Sequence, residues 1–317
     1  MKINFPKFNI LNKTKTVNFK GKENTPQITM NTLRGLENVT CAYCGEVMPS
    51  SRQVQKFAVE ASLVKDRKLA RYLSDYEHYM KNNEKQALFF IKDAIERFPH
   101  CNLKEILELI FPYHVARLEL QQKKILDKLQ SLAGGFSFHD RDLTLELVKK
   151  GRASIDQKSD MRHFKRNRFI TDFYNLKERF ENQRSHVYAM DVISSMSNAH
   201  TSTDAFLVKY KRKESPEIAA RLLTPAQVTV EHLVPQSLGG KNNIENLVLA
   251  CGEDNSTRRS QPLDRMPQIR MNLPKYCKTV KKELMKNFDK NSVNYYLRSV
   301  WGTVDSLLTG GIHIYKK

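Results

Sequence analysis

The sequence predicts a mainly α protein that encloses one small strand–loop–strand–helix unit. Three observations point there. Apolar residues recur at a helical period through most of 52–200. The β-branched run Val228-Thr-Val230 and the run Asn246-Leu-Val-Leu249 flank a loop with Gly239-Gly240, as a hairpin does. A polar helix start follows at about Asp254.

Residues 1–22 hold six lysines and no acid, which reads as an extended basic arm over 1–30. Residues 31–50 contain Cys41-Ala-Tyr-Cys44-Gly45, a tight knuckle-like turn. The segment 51–200 reads as helical. Phe57, Val59, Leu63 and Leu69 to Leu73 share one period, as do Leu88, Ile91, Ile95 and Phe98. Asn102 is placed to cap a helix through Leu103, Ile106, Leu109 and Ile110. Pro112 should kink it, because proline lacks the donor and its ring crowds the preceding turn; Val115, Leu118, Ile125 and Leu129 continue it to Gly134-Gly135. A helix over Asp160 to Gln183 clusters Arg162, Lys165, Arg166 and Arg168 among Phe164, Phe169, Phe173 and Tyr174; those aromatics suit a core better than a stacking platform.

Ala205 to Tyr210 reads as a short strand, and Ser215-Pro216 as the start of a helix through Leu223. After the hairpin unit, two helices are expected near 275–288 and 291–308, the second opened by Asn291 and closed by Gly310-Gly311. The segment 265–317 carries eleven Lys/Arg against three acids.

The 317 residues suffice for about two domains, and 40% apolar content excludes wholesale disorder. A net charge of +19 points to a polyanionic partner, nucleic acid above all. No run of about eighteen apolar residues is present and no secretory signal is visible, so a membrane partner is not expected. Five cysteines, at 41, 44, 101, 251 and 277, form no disulfide framework, and a cytoplasmic location follows as the simpler expectation. Cys101 and Cys277 lie in helical patterns and read as buried thiols.

The stretch Glu231-His232-Leu-Val-Pro235-Gln-Ser237-Leu-Gly239-Gly240, with Glu245-Asn246-Leu247 and Cys251-Gly-Glu-Asp254-Asn255-Ser-Thr-Arg258, carries the chemistry. Cutting a phosphodiester needs an activated water, charge neutralisation and help for the leaving oxygen. His232 titrates near neutrality and suits the general base. Glu231 and Asn255 offer hard oxygens that suit Mg2+ or Mn2+ better than zinc, and such an ion acts as a Lewis acid. Successive strand residues face opposite ways, so the strand should end or bulge at Glu231-His232. Arg258 and Arg259 are candidates for gripping phosphate, with a solvated helix face as the plainer alternative. Glu77-His78 is also an acid–histidine pair, but none of the other positions follows it, and His78 reads as helix surface or packing.

Taken as a set, Glu231, His232, Pro235, Gly239-Gly240, Asn246 and Asn255 resemble the HNH endonuclease family, over about residues 204–264. The resemblance implies a ββα-metal core spanning 201–264, joined by the 31–50 knuckle across a long helical insertion and followed by the basic helical segment 265–317. It implies a metal-dependent endonuclease acting on DNA and leaving 5′-phosphate and 3′-hydroxyl, with His232 as base and Asn246 tying down the loop that carries it. Phage defence or a mobile element is the setting such proteins often have, and a protein partner or a homo-oligomer is open. Two rival readings stay open: a nucleic-acid-binding or regulatory subunit with an inactive site, and an RNA-cleaving toxin on the same scaffold.

Many HNH proteins complete a four-thiolate zinc with a second Cys-x-x-Cys. Here that position reads Cys251-Gly-Glu-Asp254. Zinc on Cys41, Cys44, Cys251 and Asp254 is chemically allowed. A water or another residue in fourth place, or thiols that only pack, are the alternatives.

Overall fold

The structure, a computed structural model, describes residues 27–156, 166–198 and 201–310. The basic arm at 1–22, the positions Arg162, Phe164 and Lys165, and Gly311 lie outside the described residues. The chain is predominantly helical with two small antiparallel two-stranded sheets, the fold class expected. No helix among the described residues is long and apolar enough to cross a membrane.

Helix α1 (Met30–Arg34) precedes a short ribbon of β1 (Val39–Thr40) and β2 (Val47–Met48). Helices α2 (Ser51–Leu63), α3 (Asp66–Asp75), α4 (Asn82–Arg97), α5 (Leu103–Ala133), α6 (Phe138–Asp156), α7 (Arg166–Tyr174) and α8 (Gln183–Ser194) follow. Then come α9 (Thr203–Tyr210) and α10 (Ser215–Leu223), the hairpin β3 (Val228–His232) and β4 (Leu247–Cys251), and α11 (Gly252–Arg258). Helices α12 (Gln268–Leu284) and α13 (Lys290–Leu308) are the last of the described elements.

Local sequence explains most boundaries. Ser50 caps α2 and Asn102 caps α5, each by accepting a backbone N–H three residues on. The 31-residue α5 is the spine of the helical region. Its first part packs into a core with α2, α3, α4, α9 and α10, and its last part into a second core with α6, α7 and α8. Phe169 and Phe173 are buried in that second core while Tyr174 is exposed, so the aromatics of α7 are mainly packing residues.

Several expectations are corrected. Ala205 to Tyr210 lies in helix α9, not in a strand. Ala205, Phe206, Leu207 and Val208 are all buried between α4, α5 and α10, and a run apolar on every face carries no period to separate strand from helix. Pro112, by contrast, lies inside α5, which continues past it to Ala133 as expected, with Leu107, Phe111 and Val115 buried on either side. The helix expected over 160–183 ends at Tyr174, with a single 3-10 turn at Lys177–Arg179 before Asn182 caps α8. Helix α12 begins at Gln268 and takes in Pro274, and Asp289 rather than Asn291 caps α13. Val59, Leu63, Phe98 and Leu109 are exposed although they fall on helical periods.

The third core positions the site. It gathers the β1–β2 ribbon, the β3–β4 hairpin, α12 and α13. The Ala42 N–H donates to the Leu249 carbonyl at 3.0 Å, which docks the knuckle on β4. Fully buried Tyr276 and Tyr296 share a hydroxyl contact of 2.7 Å. Tyr276 Oη accepts the Leu249 N–H at 3.2 Å and Tyr296 Oη donates to the Leu247 carbonyl at 3.1 Å. Two helices thereby satisfy the free edge of β4, and each such bond contributes about 0.5–1.5 kcal/mol net.

Candidate active site and metal centre

Strand β3 pairs with β4 in unbroken register, with Glu231 opposite Val248 and His232 opposite Leu247, and it ends on His232. The chain then turns through Pro235, a 3-10 turn at Gln236–Leu238 and Gly239-Gly240. Gly239 has φ +88°, a left-handed value that favours glycine. Gly240 is required for another reason: a Cβ there would lie 1.8 Å from the Val234 carbonyl oxygen. Buried Asn246 locks this loop at both ends. Its Oδ1 accepts the Val234 N–H at 2.7 Å, and its Nδ2 donates to the carbonyls of Val234 at 3.0 Å and Lys241 at 2.9 Å.

The half-buried His232 ring leaves the end of β3 toward this loop, where Nε2 lies 2.5 Å from Asn242 Oδ1. Gln236 Nε2 donates to the same oxygen at 2.7 Å. Neither Asn242 nor Gln236 was among the residues singled out from sequence, and both are exposed.

Thr229 and Glu231 share the face of β3 that α11 covers. Asn255 Nδ2 donates to Thr229 Oγ1 at 3.0 Å, so Asn255 and Glu231 lie on the same side of the strand. One turn further along α11, Arg258 is fully buried, which departs from its expected place on the phosphate-facing surface. Its Nη1 donates to Glu231 Oε1, to Tyr43 Oη at 3.0 Å and to the His232 carbonyl at 2.5 Å; Nη2 donates to the Leu233 carbonyl at 2.6 Å. A guanidinium so surrounded has no free face for a phosphate. Arg259 is exposed just past the helix end, with φ +52°. Burial pushes the Glu231 carboxyl above the ordinary range; the Arg258 charge and hydrogen bond and the His232 amide hold it back only in part.

The second cluster joins two segments far apart in the sequence. Cys41 and Cys44 from the knuckle meet Cys251 and Asp254 from the end of β4 and the start of α11, with all four ligand atoms within 4.8 Å of one another. Asp254 Oδ2 lies 3.1 Å from both Cys41 Sγ and Cys251 Sγ. Gly45, at φ +72°, closes the knuckle, and the backbone N–H groups of Tyr43 and Cys251 point at Cys41 Sγ from 3.4 and 3.3 Å. Three sulfurs, one carboxylate and inward N–H donors fit a tetrahedral zinc.

Hydrogen bonding to Cys251 pulls the Cys41 thiol down, but the bond to Cys44, burial and the nearby negative groups outweigh it and push it up to about 12. Hydrogen bonds from Cys251 and Cys41 push Cys44 far the other way. Lys81, from the turn before α4, brings a cation to the cluster's edge. Its Nζ contacts Glu46, reaches Cys44 Sγ at 3.3 Å and lies 3.9 Å from Glu253. Burial alone would lower its value, yet the charges and hydrogen bonds of Cys251, Glu46 and Cys44 raise it, so it stays charged. Cys101 and Cys277 are half-buried and belong to neither cluster.

Lys81 and Tyr43 also escaped the sequence reading, since a lone lysine before a helix and a tyrosine inside a knuckle carry no spacing signal. His78 is exposed and its ring lies tilted at 40° against Tyr79, with centroids 4.0 Å apart.

No curated relative and no solved structure matches the chain. Residues 219–261, which run from α10 through the hairpin and α11 to just past it, match the family model described as HNH endonuclease, so this segment is similar to an HNH module.

Proposed function

We propose that the protein is a metal-dependent endonuclease that hydrolyses DNA phosphodiester bonds. The observation that carries this reading is the common side of β3 occupied by Glu231 and Asn255, beside a His232 held at the strand end by the Asn246-locked loop. His232 removes a proton from water as the oxygen attacks phosphorus and the P–O3′ bond breaks; the departing 3′ oxygen takes a proton from solvent, leaving 5′-phosphate and 3′-hydroxyl. Glu231 and Asn255 would hold Mg2+ or Mn2+, which supplies Lewis acidity at the phosphoryl and leaving oxygens. Asn246 positions the loop, and Arg258 orients Glu231 while neutralising it. Of the two arginines singled out for phosphate, Arg259 is the one with a side chain open to solvent. A zinc on Cys41, Cys44, Cys251 and Asp254 would staple the knuckle to the catalytic hairpin. We assign the protein to the cytoplasm, where thiolates persist.

The Glu231–Arg258 ion pair favours a second reading, a nucleic-acid-binding protein without hydrolysis, because it engages a ligand oxygen with a side-chain cation. One experiment separates them. Plasmid DNA and total RNA are incubated with the protein in Mg2+, Mn2+ or EDTA, alongside His232→Ala. Metal-dependent plasmid cleavage lost in His232→Ala supports the endonuclease. Cleavage of RNA alone moves the substrate to RNA, and retained binding with no cleavage of either selects the second reading.

A further inference from the structure

Helices α12 and α13 leave an open groove of about 680 Å3 between them, lined by Cys277, Lys278, Lys281, Leu297, Arg298 and Trp301, together with Pro274 and Asn294. No acid lines it. Lys278, Lys281, Arg298 and Trp301 are exposed. Of the other cations on these helices, Arg270 pairs with Asp305 and Lys286 with Glu283, while Lys275 and Lys282, outside the groove lining, are exposed. Among the described residues, no ion pair engages Lys278, Lys281 or Arg298; Arg298 Nε donates only to the Asn294 carbonyl of its own helix, at 3.3 Å.

Three cations that repel one another in one groove form a site whose counter-charge must come from outside. The indole among them narrows the ligand. Cations that track a phosphodiester backbone beside an aromatic face are how unpaired nucleotides are held, with phosphates on the cations and a base on the ring. A duplex keeps its base faces stacked on each other and offers none to an indole. We propose that the α12/α13 groove binds a single-stranded stretch of nucleic acid, with backbone phosphates on Lys278, Lys281 and Arg298 and one base stacked on Trp301.

The groove is rigidly tied to the hairpin, since Tyr276 of α12 and Tyr296 of α13 hydrogen-bond to the backbone of β4. A strand bound there would be held at a fixed position relative to His232. The inference goes beyond the hydrolytic reading and does not depend on it.

Trp301 is the only tryptophan in the chain, so indole emission reports on this groove directly. The full-length protein carrying His232→Ala, without added Mg2+ or Mn2+, is titrated with an oligothymidylate of about 12 nucleotides and with a blunt duplex of equal length. The expected result is saturable quenching by the single strand, with log affinity falling against log salt at a slope of about −2, the value for three phosphates. The duplex should quench weakly. Binding of a labelled oligothymidylate, followed by anisotropy, should weaken at least tenfold in K278Q/K281Q/R298Q, with the salt slope approaching zero, and severalfold in W301A. All four side chains are exposed, and circular dichroism checks that the variants remain folded. Absent quenching, an unchanged affinity and slope in the triple variant, or equal quenching by the duplex would each overturn the proposal. Failure to cleave plasmid would leave this result untouched, and failure here would leave the cleavage test untouched.

Discussion

Arg258, at the end of α11, reaches back to Glu231 at the end of β3 and is the largest fully buried side chain among the described residues. The same guanidinium holds Tyr43 of the knuckle and the carbonyls of His232 and Leu233. One side chain therefore ties together the three pieces of the module. Removing it would leave an uncompensated carboxylate in the interior, so Arg258→Ala should cost about 3–5 kcal/mol, measured by denaturant unfolding. Glu231→Gln combined with Arg258→Met should recover part of that loss, because no orphan charge remains.

The loop that presents His232 should be intolerant at Gly240 and lenient at Gly239. Gly240→Ala drives a methyl group into the Val234 carbonyl. Gly239→Ala meets no atom within 4 Å and pays only for its φ of +88°, about 1 kcal/mol. Thermal melts of the two variants should differ in that order, and a milder effect at Gly240 would contradict the geometry.

Asn246→Ala should leave the Val234 N–H and the carbonyls of Val234 and Lys241 without their partner, at about 1–3 kcal/mol. Asn246→Asp keeps the acceptor but sets a buried carboxylate oxygen against the carbonyls of Val234 and Lys241, so it should destabilise at least as much as alanine. Nuclease activity should follow the same ranking if the loop positions the base.

Metal analysis of the purified protein should find one zinc per chain, lost in Cys251→Ser and retained in Cys277→Ser. Chelation should lower the melting temperature, since a ligand bound only by the folded state stabilises it. Acid should weaken binding. In the metal-free cluster the Cys41 thiol is pushed from 9.0 up to about 12, so its contribution as a protonated thiol is complete at neutral pH and is lost only as pH rises through that value. Zinc must displace that proton, and its affinity should fall about tenfold per pH unit for each proton displaced. An affinity flat between pH 6 and 8, within about twofold, would rule out a thiolate site of this kind.

Lys81→Met should speed zinc release to a competing chelator, because it strips the cation from an anionic cluster, whereas Lys81→Arg should restore most of the retention. Equal release rates in both would reduce Lys81 to a packing residue.

The strand–loop–strand–helix unit was legible because turn glycines, β-branched strands and a polar helix start all coincide between Val228 and Arg258. The meeting of Cys41, Cys44, Cys251 and Asp254 was legible through the family resemblance, in which a second Cys-x-x-Cys completes the zinc site and Asp254 stands here in the fourth place. Arg258 was not, because one residue type serves equally for phosphate and for a buried carboxylate, and only packing decides. Helix α9 was missed because burial on every side erases the period that tells helix from strand. Lys81 was out of reach, as its partners lie far from it in sequence at Cys44, Glu46 and Glu253.

The knuckle and the hairpin are separated by more than half of the chain, yet they share one core. During synthesis Cys41 and Cys44 leave the ribosome long before Cys251 and Asp254 exist to meet them. The helices between can fold meanwhile on cores of their own, but the module cannot close until β4 and α11 have been made. A nascent chain stalled before Cys251 would thus hold its helical cores while the knuckle waits unpartnered, so the order of synthesis makes this meeting of distant segments a late event.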